Sequence, residues 1–139
     1  AGQTRDYIFG YTILNDVSAR DVQTAHKQWY FGKSLDGFTP IGPCIVTADA
    51  FADYPPRLGI RSFVNGEKRQ DSNTALQIFD IDHVIAELSQ GMTLKAGTII
   101  ATGTPAGVGM GMDPPQFLKP GDVVRCEIDG IGTLTNPVE

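Results

Sequence analysis

Two dipeptides constrain this chain more than any other feature. Asn65-Gly66 divides "GIRSFV" from "EKRQ", and Asp129-Gly130 divides "DVVRCEI" from "IGTLTNPV". An Asn-Gly or Asp-Gly pair between β-favouring runs is the chemistry of a tight hairpin, because both central residues of a type I′ turn need φ above zero. Two antiparallel hairpins are therefore expected. Sixteen glycines and nine prolines add to the case for strands and turns over long helices. "YIFGYTILNDV" reads as a further strand, "CIVTADAF" as another, and "GTIIATGT" as an apolar strand running into a Gly-rich loop. "DSNT" reads as a polar break after the first hairpin.

Only one segment carries a convincing helical period. In "FDIDHVIAELSQG", Ile81, Val84, Ile85 and Leu88 fall at i, i+3, i+4 and i+7, which is one apolar face. Asp80 is placed to cap this helix, and Gly91 to end it in the left-handed conformation. The helix, about 81–90, is expected to cover one face of the strands. A shorter helix is expected over 19–26, with Ser18 as its N-cap and Asp21 three residues on. The order of elements does not alternate as in a doubly wound sheet. The expected class is α+β, dominated by strands.

The chain of 139 residues is long enough for one domain with a core of its own. Its net charge of −5 has the wrong sign for nucleic acid. No apolar run is long enough to cross a bilayer, and "AGQTRDY" lacks the apolar region of a signal peptide. Cys44 and Cys126 sit in apolar, strand-like contexts and are expected as buried free thiols. His26 and His83 are expected at the surface. The absence of an initiator Met, with a strand almost at the start, suggests a processed or partial chain.

The side-chain chemistry changes abruptly at "NDVSARDVQ", residues 15–23. A turn and helix start would explain this run, and so would a binding site at the end of a strand. Asp16, Arg20 and Gln23 fall at i, i+4 and i+7. If a helix begins near Ser18, Arg20 and Gln23 share a face that Asp16 flanks. An anion, a cation and an amide on one wall suit a hard metal ion beside a carboxylate substrate. "GKS" (residues 32–34) is not the end of a P-loop, because the motif needs glycine five residues before Gly32 and that position is Lys27. Lys33 is a lone cation among aromatics, either snorkelling to solvent or facing an anion. "ATGTPAGVGMG" has glycines at 103, 107, 109 and 111, which is not the dinucleotide fingerprint. It is either a tight turn or a loop whose N–H groups and Thr hydroxyls approach a small anion.

Taken together, "GYTILNDVSARDVQ", "GKSLDGFTPIGPCIV", "VNGEKRQDSNT", "LKAGTIIATGTPAGVG" and "FLKPGDVVRCEIDGIGTLTNPV" resemble the fumarylacetoacetate hydrolase family, in the family's order and over essentially the whole chain. The closing segment looks most like the fumarylacetoacetate hydrolase domain-containing 2 branch. The resemblance implies a mixed β-sandwich roll, a homodimer, and Mg²⁺ (or Mn²⁺ or Ca²⁺) as cofactor. It implies Asp16 as a metal ligand, and Arg20, Gln23, Lys33, Gly103 and Thr104 as substrate-binding residues. Lys33 and Gln23 are the implied catalytic groups.

The implied substrate is a 2-oxo or 2-enol diacid, undergoing C–C hydrolysis or isomerisation through an enolate. Oxaloacetate decarboxylation or tautomerisation is the alternative within the class. A non-catalytic anion-binding or structural fragment is the alternative outside it. A cytoplasmic location is expected, or a mitochondrial one in a eukaryote. The family's two metal-binding glutamates lie upstream of the Asp16 motif, and the fifteen residues before Asp16 hold no glutamate. Residues 1–139 are therefore expected to be a single, partial catalytic domain, marginally stable and inactive by itself.

Overall fold

A computed structural model describes residues 4–25 and 27–139. The expectation for His26 lies outside the described residues. The architecture is the strand-dominated α+β class expected. β1 (Gly10–Leu14) pairs antiparallel with β2 (Ile41–Thr47). A four-stranded antiparallel sheet holds β3 (Gly59–Val64), β4 (Glu67–Asn73), β5 (Val123–Ile128) and β6 (Gly132–Pro137), in the order β4-β3-β5-β6. The two helices are α1 (Arg20–Ala25) and α2 (Ile81–Ser89).

Both hairpins form where the dipeptides place them. Asn65 and Gly66 have φ of 52° and 83°, the pair of positive values a type I′ turn requires. At the β5–β6 tip Gly130 has φ of 77°, and the next residue, Ile131, folds back to only 7 % exposure. Ile131 joins Ile13 and Leu134 in the core, with Tyr11, Val46, Phe51, Leu58, Cys126 and Ile128 packed around them. Tyr11 meets Phe51 edge to face at 5.6 Å. The Ile13, Ile131 and Leu134 cluster fixes the two-stranded sheet on the β5–β6 end of the larger one.

Several local expectations give way. Gly10, not Tyr7, opens β1, because Thr4–Tyr7 coil into a 3₁₀ turn. "DSN" continues β4, since Asp71, Ser72 and Asn73 pair with Arg61, Ile60 and Gly59; cross-strand partners outweigh the turn preference of the isolated residues. "GTIIATGT" forms no strand among the described residues. Its apolar content is a sign of burial, and Ile99 instead stands 61 % exposed with no neighbouring strand to pair. Asp80 does cap α2, accepting from His83 N at 2.7 Å. Gly91 is not among the residues with positive φ, and the helix runs out through Gln90 in right-handed geometry. No residue of α2 is fully buried; its apolar face, Ile81, Val84, Ile85 and Leu88, is half-buried. Cys44 is exposed and Cys126 half-buried, both free thiols.

Candidate functional site

The loop from the end of β1 into α1 carries most of the predicted groups. Asn15 N donates to Pro40 O at 3.0 Å, and Ala19 N to Gly32 O at 2.8 Å. These bonds clamp the loop against the segment that carries Lys33. Gly32 makes the clamp possible. A Cβ there would lie 2.8 Å from Gln23 N and 2.9 Å from Ala19 O, so only a glycine lets this backbone lie directly on α1.

Ser18 does not cap α1 as expected. Its hydroxyl donates to Asp16 O at 3.1 Å and accepts from Lys33 Nζ at 3.0 Å. Lys33 Nζ also donates to Asp16 Oδ2 at 2.5 Å. The lysine therefore neither snorkels freely nor stands alone. Its side chain is 27 % exposed and that of Asp16 44 %, so the pair lies at the mouth of the site rather than inside it. Arg20 and Gln23 share a helix face as their spacing requires. Arg20 NH1 donates to Gln23 Oε1 at 2.8 Å, and Gln23 is buried. With its oxygen held by Arg20, the amide turns its NH₂ end the other way, as a donor.

Gly103 and Thr104 form a second locus. No hydrogen bond joins them to the Asp16 cluster among the described residues. Gly103 has φ of 104°, with open space where a Cβ would stand. Thr104 is held by Gln70, whose Nε2 donates to Thr104 Oγ1 and to Pro105 O, both at 2.8 Å.

Gln70 and its neighbour Arg69 are contributors that the sequence reading passed over. Ser62 pairs with Gln70 and Phe63 with Lys68, so Arg69 is the extra residue of a β-bulge, a device that re-aims side chains. Arg69 reaches across to Met112 Sδ at 3.2 Å and to the Gln116 side chain. Gly107 lies so close that a Cβ would come 2.1 Å from Arg69 O. A charged "EKRQ" after a hairpin turn reads as a solvated strand, and nothing local marks the bulge.

As to metal, no group of three or more His, Cys, Asp or Glu side chains converges among the described residues. Asp16 is one anionic donor, and its Oδ2 is already engaged by Lys33. The described residues do not by themselves form a divalent-cation site.

Over residues 1–139 the chain matches the family described as fumarylacetoacetate (FAA) hydrolase C-terminal. The chain belongs to the fumarylacetoacetate hydrolase family. It is 52 % identical over 133 residues to oxaloacetate tautomerase YisK of Bacillus subtilis, covering 96 % of this chain and 44 % of that protein. It is 51 % identical over 135 residues to the mitochondrial oxaloacetate tautomerase fahd2 of Xenopus laevis, covering 96 % of this chain and 42 % of that one. Among solved structures it matches a fumarylacetoacetate hydrolase from the psychrophile Exiguobacterium antarcticum with a TM-score of 0.95 and 52 % identity, over 99 % of this chain and 49 % of that one. The chain thus spans about half the length of these relatives, or less. No helix among the described residues is long and apolar enough to cross a membrane.

Proposed function

We propose that this chain carries the substrate-facing part of an enzyme that interconverts or cleaves 2-oxo and 2-enol carboxylates through an enolate, with keto–enol tautomerisation of oxaloacetate as the leading reaction. One observation carries the reading. A lysine ammonium is held by Asp16 at 2.5 Å and Ser18 at 3.0 Å, on a turn whose Gly32 lies directly against Gln23 of α1. A fixed positive charge is what a developing enolate oxygen requires, and pre-organising it avoids reorganisation during the reaction.

Lys33 would meet the C2 oxygen as it gains charge. The NH₂ of Gln23 would orient the enol oxygen or a water, while Arg20 holds that amide and faces the substrate's second carboxylate. Gly103 N–H and Thr104 would take the first carboxylate. The Bacillus and Xenopus relatives, both named oxaloacetate tautomerases, support tautomerisation over acylpyruvate-type C–C hydrolysis, which shares the enolate. The cofactor proposed is Mg²⁺ (or Mn²⁺ or Ca²⁺). With Asp16 the one carboxylate at this position, such an ion would need further ligands from outside the described residues, and no step above passes through it.

A homodimer is proposed with the enzyme. Trp29, Tyr30 and Phe31 are consecutive and each more than half exposed, and grouped apolar surface of this kind favours association. Sedimentation velocity checks it. The location proposed is the cytoplasm, or the mitochondrion in a eukaryotic host, the compartment in the Xenopus relative's name.

The deciding experiment is an enol–keto exchange assay on oxaloacetate with the full-length gene product, followed by absorbance of the enol. Exchange well above the buffer rate supports the enzyme. Tight binding of oxaloacetate without exchange would make this a non-catalytic anion-binding module.

A further inference from the structure

The hydrogen-bond chain Ser62–Gln70–Thr104 fixes more than the position of Thr104. Ser62 and Gln70 stand opposite one another in the β3–β4 ladder, so their side chains share a face. Ser62 Oγ donates to Gln70 Oε1 at 2.8 Å. On the other side, Gln70 Nε2 lies 2.8 Å from both Pro105 O and Thr104 Oγ1.

The direction of these bonds follows from chemistry. A backbone carbonyl only accepts, so the atom of Gln70 that faces Pro105 O must be the amide nitrogen. That leaves Oε1 for the Ser62 hydroxyl. The amide's second hydrogen then goes to Thr104 Oγ1, which accepts it. A hydroxyl that has accepted from a fixed amide keeps its own hydrogen to give away.

We propose that Gln70 is a positioning residue that makes Thr104 a hydrogen-bond donor toward the ligand, so that this position selects an acceptor-only group, the carboxylate of the substrate. The inference rests on the proposed role of Thr104 in substrate binding and specifies its polarity. The bulge at Arg69 is what delivers the amide. By adding one residue to β4 it aims Arg69 at Met112 and Gln116 and leaves Gln70 opposite Ser62, under the Thr104–Pro105 bend. Serine, glutamine and threonine carry no charge here, so the polarity is set by covalent chemistry and geometry and does not titrate in the neutral range.

The test uses the full-length protein with oxaloacetate as substrate. Gln70→Leu removes the amide and lets the Thr104 hydroxyl rotate. KM should rise roughly 3- to 10-fold, the worth of one ordinary hydrogen bond, with kcat within about twofold. Gln70→Glu reverses the polarity. A carboxylate beside Thr104 accepts from its hydroxyl and so occupies the hydrogen meant for the ligand, and KM should rise roughly 10- to 100-fold, the range for a charged partner. In a Thr104→Val background the excess of Gln70→Glu over Gln70→Leu should shrink to what like-charge repulsion of the substrate carboxylate leaves, while Thr104→Ser, which keeps the hydroxyl, should stay near wild type.

Equal KM values for the two Gln70 variants, or an excess undiminished in Thr104→Val, overturn the relay while leaving Thr104 as a binding residue. An unchanged KM in Thr104→Val alone overturns the binding role itself, and the relay with it. If either Gln70 variant fails to fold, Ser62→Ala carries the test. It frees Oε1 and lets the amide swing away, so a raised KM with steady kcat supports the relay and an unchanged KM overturns it.

Discussion

Lys33 Nζ lies 2.5 Å from Asp16 Oδ2 across a separation of 17 residues, and the two reach each other only because Gly32 lets the chain lie flat on α1. Arg20, by contrast, spends its guanidinium on Gln23. The site therefore has two cations with different tasks, one paired to a carboxylate and one to a buried amide. In the proposed reaction Lys33 supplies the charge. Lys33→Met keeps the length and removes it, and turnover of oxaloacetate in the full-length protein should fall by roughly 10²–10³, the usual loss for one charge-stabilising donor. A fall of less than about fivefold would place Lys33 outside the chemistry. Asp16→Asn should also lower turnover, and the double variant should lose little more than the worse single one, because residues that act as a unit are not additive.

Gly32 carries a prediction of its own. Gly32→Ala would push a methyl to within 2.8 Å of Gln23 N and 2.9 Å of Ala19 O. Backbone atoms cannot yield as a flexible side chain does, so the 3₁₀ turn at Phe31–Lys33 must lift off α1. Overpacking of this kind costs about 1–3 kcal/mol, which a thermal melt reads as a loss of several degrees. Turnover should fall more than the melt suggests, since the lift also draws Lys33 from Asp16. A variant that melts lower with full activity would separate the clamp from the site.

The parts of this architecture legible in sequence were those set by short-range chemistry. Asn65-Gly66 dictates its hairpin through two positive φ values and Gly130 marks the tip of the other with one, and Asp80 caps α2 through a bond three residues away. The Arg20–Gln23 pair follows from helical spacing. The illegible parts depend on what lies opposite in space. Ser18 looks like a cap until Lys33 arrives from a different segment. "GTIIATGT" looks like a strand because it is apolar and β-branched, but a strand needs a neighbour, and no residue described here pairs with it. The bulge at Arg69 comes from the register of β4 on β3, which no window of the sequence contains.

The cysteines give a simple chemical check on burial. Cys44 is exposed, with its thiol 3.6 Å from Ile131 O. Cys126 is half-buried on β5, and burial pushes its thiol above the ordinary value. The thiolate is the reactive form, so access favours Cys44 and the raised thiol slows Cys126. A maleimide at neutral pH should label Cys44 first and Cys126 only slowly, with the order read by peptide mass spectrometry. Cys44→Ser should remove the fast phase. Equal labelling rates would mean that β5 opens as easily as the edge of β2.

Asp82 sets the pH range over which α2 stays docked. Its carboxylate accepts from the Thr4 and Tyr54 hydroxyls, and it is a side-chain link from the first turn of α2 to the rest of the fold. Those two bonds, Thr4 first, hold the Asp82 carboxyl below its usual 3.8. On the other partner, burial, with the bond to Asp82 adding to it, pushes the Tyr54 phenol up to about 12. A carboxyl depressed in the folded state contributes stability that is present above its unfolded value and lost as pH falls through the lower folded one. A phenol raised in the folded state contributes stability that is present below pH 10 and lost as pH rises through about 12. The anchor should thus be constant across the neutral range and fail at both ends. Amide exchange of α2, followed by NMR from acid to alkaline pH, should show protection falling on the acid side in step with Asp82 and on the alkaline side in step with Tyr54. Asp82→Asn should remove the acid transition, and Tyr54→Phe the alkaline one, each lowering protection of α2 at neutral pH. If Asp82→Asn leaves the acid limb where it was, the helix is held by its half-buried apolar face and not by this carboxylate.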